Sequence, residues 1–115
     1  MRNSILLLLL LIGGVVVGQT QKEMNDSAFV AYEKADAELN KVYQELVAQL
    51  DAEETKLLIT AQRYWIGYRD AHCEFEKKPS EGGSIQPLVY ATCLTEVTEQ
   101  RIKELKASLL SRKER

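Results

Sequence analysis

Apolar residues recur every three or four positions along three separate stretches of this chain, with polar residues filling the positions between. In the first stretch Tyr32, Ala35, Leu39, Val42 and Leu46 mark one face, widened by Ala28, Tyr43 and Leu50. That spacing is the pattern of an amphipathic helix, and Glu33, Lys34, Glu38, Lys41, Gln44 and Glu45 make its solvated side. Thr20 followed by Glu23 fits a capping box, in which each side chain satisfies a backbone donor of the other. A helix is therefore predicted from Thr20 to Leu50, about 45 Å long.

Asp51 and Glu54 repeat the capping pattern, so a second helix is expected to begin with almost no loop. Its stripe reads Leu58, Ala61, Trp65, Tyr68, His72 and Phe75, beside a neighbouring row of Gln62, Ile66, Arg69 and Cys73. This wider coverage predicts contact with both other helices. Lys77, Lys78 and Pro79 close it, because proline cannot continue the hydrogen-bond ladder. The run Pro79-Ser80-Glu81-Gly82-Gly83-Ser84 reads as a loop. A third helix starts near Ser84, tolerates Pro87 in its first turn, and carries Ala91, Leu94, Thr98, Ile102, Leu105 and Leu109, flanked by Leu88 and Val97. No strand pattern is visible. The expected fold is all-α: three long helices in an antiparallel up-down-up bundle. The alternative is a continuous coiled-coil rod, should the first two helices fuse past Asp51.

Residues 1–18 stand apart. Arg2 precedes an uncharged apolar run from Ile5 to Val17, which is short for a bilayer span and is followed by polar Gln19-Thr20-Gln21. This reads as a signal peptide rather than a membrane anchor, and it implies a periplasmic or secreted protein with no stable anchor after cleavage. Of 115 residues, 97 then remain (19–115), enough for one domain, with 14 basic against 17 acidic side chains. A mildly acidic chain lacks the electrostatic footprint of a nucleic-acid binder.

Two cysteines in a small exported chain read as one structural disulfide. Cys73 lies one turn before the end of the second helix and Cys93 about two turns into the third, so an antiparallel hairpin brings them level. With a single His and no close cysteine pair, a zinc site has almost no support, and no other cofactor is implied.

No catalytic group stands out. His72 and Cys73 are adjacent, and successive helical side chains diverge by about 100°. Asp70, Glu74 and Glu76 sit in a charged turn beside Lys77 and Lys78, where nothing would raise one carboxyl as acid catalysis requires. Arg69 flanks the Trp65–Tyr68 stripe and could reach Asp36 or Asn40 on the first helix, forming a polar clasp that fixes register.

Met24-Asn25, Tyr32, the run from Ala35 to Asn40, Val42-Tyr43, AQRYWIGYRDAHC from Ala61 and GGSIQPLVYATCL from Gly82 together resemble the N-terminal domain of LprI-type lysozyme inhibitors, over nearly the whole mature chain. Members of that family often carry a further cysteine just after the Met-Asn pair and another nearer the N-terminus. Ser27 stands at the first place here and the stretch before Met24 has none, which implies loss of one whole disulfide. The founding member is a lipoprotein, and this chain lacks the cysteine that lipid attachment needs. The resemblance implies an exported binding protein, not an enzyme, with a protein partner such as a lysozyme or related muramidase. An inhibitor of a basic lysozyme needs an inserted element and complementary acidic surface. The expected contact residues are Asp70, Glu74, Glu76, Lys78, Ser80, Glu81, Gly82 and Gly83. The alternative function is an envelope structural or assembly factor that docks a partner through its helical faces.

Overall fold

The computed structural model describes residues 20–114, and the expected signal peptide at 1–18 lies outside them. Helix α1 spans Gln21–Val47, α2 spans Ala52–Lys77, a single 3-10 turn covers Lys78–Ser80, and α3 spans Gln86–Lys113. Among the described residues there is no strand. The chain runs up, down and up, so α1 and α3 lie parallel and α2 runs antiparallel to both.

The boundaries follow local chemistry. Thr20 Oγ1 accepts from the Glu23 backbone N–H at 3.1 Å, which supplies one half of the expected capping box at α1. At α2 the box is complete: Glu54 N–H donates to Asp51 Oδ1 at 2.7 Å and the Glu54 carboxylate accepts from Asp51 N–H. Asp51 has extended backbone and ends the four-residue link after α1, so the two helices do not fuse into a rod. Pro87 occupies the first turn of α3, where its missing N–H costs nothing.

The core follows the α1 and α3 stripes. Leu39, Val42 and Leu46 interlock with Ile102, Leu105 and Leu109, with Tyr43, Leu50, Leu58 and Trp65 packed around them. A second cluster holds Cys73, Cys93 and Leu94 beneath Tyr32, Tyr90 and Val97. Thr98 is fully buried, and its hydroxyl has no hydrogen-bond partner among the described residues.

Helix α2 departs from expectation. Tyr68 and Phe75, both assigned to its buried stripe, are 58% and 72% exposed. The inward row is instead Leu58, Gln62, Trp65, Arg69 and Cys73. The cause is rotational. The Cys73–Cys93 disulfide, with Cα atoms 5.6 Å apart, turns Cys73 fully inward. Residues four and eleven positions earlier share that face, whereas Tyr68 and Phe75 fall about 140° and 160° around the helix. Leu57 and Tyr64 join them outside, at 66% and 77% exposure. Nor does α2 pack evenly on both neighbours. It lies against α3 and meets α1 mainly through side chains.

Polar side chains attach α2 along its length. Arg112 donates through Nε and Nη2 to Glu54 Oε2 at 3.2 and 3.1 Å. Arg101 Nε donates to Gln62 Oε1 at 3.0 Å, with its guanidinium 6.0 Å from the Trp65 ring centre. Lys77 lies 4.6 Å over the ring of Tyr90. Among the described residues the α1–α3 side carries one such link, Lys106 Nζ to Glu38 Oε1 at 2.9 Å.

Candidate functional site

The clasp residues occupy the cleft between α1 and α2. Asp36, Asn40, Trp65 and Arg69 line it together, and Tyr68 is turned away. The Arg69 side chain is 12% exposed. Its guanidinium sits 5.3 Å from the Trp65 ring centre and 5.7 Å from that of Tyr32, between two aromatic faces that attract a cation. Its Nε donates to Asp70 Oδ1 at 2.9 Å, not to Asp36 or Asn40. Tyr32 responds to these surroundings. Burial pushes its hydroxyl above the ordinary tyrosine range, the Arg69 charge opposes this, and Asp36, Asp70 and Tyr90 add to the rise.

The candidate contact residues do not form one surface. Asp70 and Glu74 share an edge of α2, while Glu76 lies about 160° around from Glu74. Asp70 is engaged by Arg69, and Glu74 Oε2 pairs with Lys77 Nζ at 2.9 Å. Lys78 pairs with Glu81, so those loop charges cancel locally. The loop is also bonded to itself. Ser80 Oγ donates to Lys77 O at 2.8 Å, and Gly83 N–H donates to Ser80 O at 3.0 Å. Gly82 holds φ +80°, a left-handed conformation that favours glycine. Asn25 Nδ2 donates to Ser84 O at 3.0 Å, tying α1 to the loop.

Glu76 faces another feature, a groove along the α2–α3 seam that the sequence pattern did not single out. One stretch of about 530 Å³ lies between His72 and Glu76 on α2 and Leu88, Val89, Thr92, Cys93, Glu96 and Val97 on α3. A second, of about 330 Å³, continues along Trp65, Tyr68, Glu96, Val97, Gln100 and Glu104. Tyr68 stacks on His72, rings 5.4 Å apart and 15° from parallel, which holds the phenol at the groove wall. The available sequence signal was Glu96, Gln100 and Glu104 at spacings of four beside the buried α3 stripe. Locating the groove needed the rotation of α2 as well.

Carboxylates and aromatic rings along an open seam can bind cationic or aromatic groups of a partner. Among the described residues, no three His, Cys, Asp or Glu side chains converge as a metal site requires. No described helix is long and apolar enough to cross a membrane.

These features define a disulfide-pinned, three-helix module with an acidic, aromatic seam. The chain belongs to the lysozyme inhibitor LprI family, whose model matches residues 17–105. It is 40% identical over 100 residues to an uncharacterized protein of Rhizobium meliloti (strain 1021), covering 76% of this chain and 72% of that one. No solved structure matches it.

Proposed function

We propose that this protein is an exported, non-enzymatic binding protein that inhibits a lysozyme or related muramidase in the periplasm or outside the cell. Membership of the lysozyme inhibitor LprI family over residues 17–105 carries this reading. Three further features agree with it. The first eighteen residues have the composition of a signal peptide. The Cys73–Cys93 disulfide suits an oxidising compartment. The exposed side chains of Leu57, Tyr64, Tyr68 and Phe75 on α2 give a protein partner apolar area to cover.

The test is to mix the mature chain, residues 19–115, with animal-type and bacterial lysozymes and to follow both binding and lysis of cell-wall substrate. Micromolar or tighter binding with slowed lysis is expected for at least one enzyme. A full panel with neither would reject inhibition and favour the envelope-assembly role.

A further inference from the structure

We propose that the α2–α3 groove is the docking surface, and that it takes a cationic segment of a basic partner protein with an arginine or lysine placed between Tyr68 and Glu96. This rests on the reading of the protein as a lysozyme binder and assigns the surface that reading leaves open.

Charge is the first argument. Glu76, Glu96 and Glu104 line the groove, and among the described residues no Lys or Arg does. Glu104 is engaged by Arg101 Nη1 at 3.1 Å, and Glu76 lies 4.0 Å from His72. Glu96 makes no ion pair among the described residues and stands where the two stretches of the groove meet. A guanidinium there gains a charge-assisted hydrogen bond in a partly desolvated seam. By contrast, the α1–α2 cleft already contains Arg69, and the loop charges are paired with each other.

Shape is the second argument. From Leu88 to Glu104 the groove follows α3 for about 24 Å, the length of roughly seven extended residues. It is open along that length, so it matches a protein segment better than a small molecule. Tyr68 lies at its wall, held by His72, and an exposed tyrosine with fixed orientation loses little entropy on binding. Its ring can receive the stem and charge of the same arginine that pairs with Glu96.

The test uses the mature protein with a basic animal-type lysozyme and, separately, with hexa-arginine peptide, following amide and Trp65 indole resonances by NMR. Both probes should shift signals of Tyr68, Glu96 and Val97 ahead of those of the Lys78–Gly83 loop. Glu96→Lys should weaken lysozyme binding tenfold or more and Tyr68→Ala about tenfold. Glu33→Lys, the same charge change on the exposed side of α1, should cost less than threefold. Tyr68 and Glu96 are exposed, and unchanged far-UV circular dichroism will show that the variants fold. Lysozyme binding with wild-type affinity in both groove variants overturns the proposal and leaves inhibition standing. Groove shifts with hexa-arginine but no lysozyme binding support the groove and reject inhibition. Groove signals that move on dilution of the protein alone, and with neither probe, overturn the proposal in favour of self-association. Silence of the groove toward both probes overturns it outright.

Discussion

Along the seam between α1 and α3, six aliphatic side chains from Leu39 to Leu109 are each at most 7% exposed, whereas Cys73 is the one buried residue of α2. The first interface is held by apolar area. The second is held at points: the disulfide near one end, Arg101 with Gln62 and Trp65 in the middle, and Arg112 with Glu54 at the other end. Its inward row contains Gln62 and Arg69, whose stems cover apolar surface while their heads find polar or aromatic partners. The apolar residues that another bundle would bury are left on the outside of α2. A helix fastened this way can present Tyr64, Tyr68 and Phe75 to a partner without exposing the core that holds the molecule together.

The contrast is sharpest when leucines are exchanged for alanine. Leu105→Ala, from the α1–α3 seam, should lower unfolding free energy by about 2–5 kcal/mol through lost transfer energy and a cavity. Leu57→Ala on the outer face of α2 should change it by less than about 0.5 kcal/mol. Denaturant titration of both variants measures this. Equal losses would mean that α2 buries far more in solution than its exposed face implies.

Arg69→Ala comes next. It removes a guanidinium from two aromatic faces together with the stem packed between α1 and α2, and it should cost about 1–2 kcal/mol. The partner left behind, Asp70, is half exposed and can take water, so the larger penalty of a stranded buried charge does not apply. Arg69→Lys should recover only part of the loss, because an ammonium lacks the planar face. A full recovery would show that charge alone holds this cleft.

The smallest effect concerns Tyr32. Its hydroxyl titrates above the ordinary value near 10 in the folded state, chiefly through burial, so folding favours the neutral phenol. The associated stability is complete below pH 10 and is lost as pH rises through the folded value. Tyr32→Phe keeps the ring and cannot ionise. It should therefore lose less stability than the parent as pH rises above 10. Parallel pH profiles for the two proteins would place Tyr32 in an environment as wet as the unfolded chain.

Helices α1 and α3 were legible because a single apolar row dominates each, and the α1 stripe positions Ala35, Leu39, Val42 and Leu46 are buried as the spacing required. On α2 two rows compete. The row richer in aromatic carbons, ending in Tyr68 and Phe75, was the natural choice on hydrophobicity, yet Cys73 sets the phase. Counting back from Cys73 by four and eleven gives Arg69 and Gln62, so the covalent partner was a better guide to the inward face than apolar content. The capping residues Thr20, Asp51 and Glu54 were readable because their geometry is local. The groove was not readable, since Tyr68, Glu96 and Glu104 meet only once the relative rotation of two helices is fixed.

Hydrogen exchange on residues 19–115, with and without reductant, tests the central claim that α2 is fastened at points onto an α1–α3 pair that coheres by itself. Opening the Cys73–Cys93 link, which closes a separation of 20 residues, removes about 3 kcal/mol by loop-closure entropy. Amides of α2, above all from Trp65 to Lys77, should then lose protection by at least a factor of ten more than those of Leu39 to Leu46 and Ile102 to Leu109. A uniform loss across all three helices would contradict the account, because it would mean that α2 and the α1–α3 seam unfold as one cooperative unit.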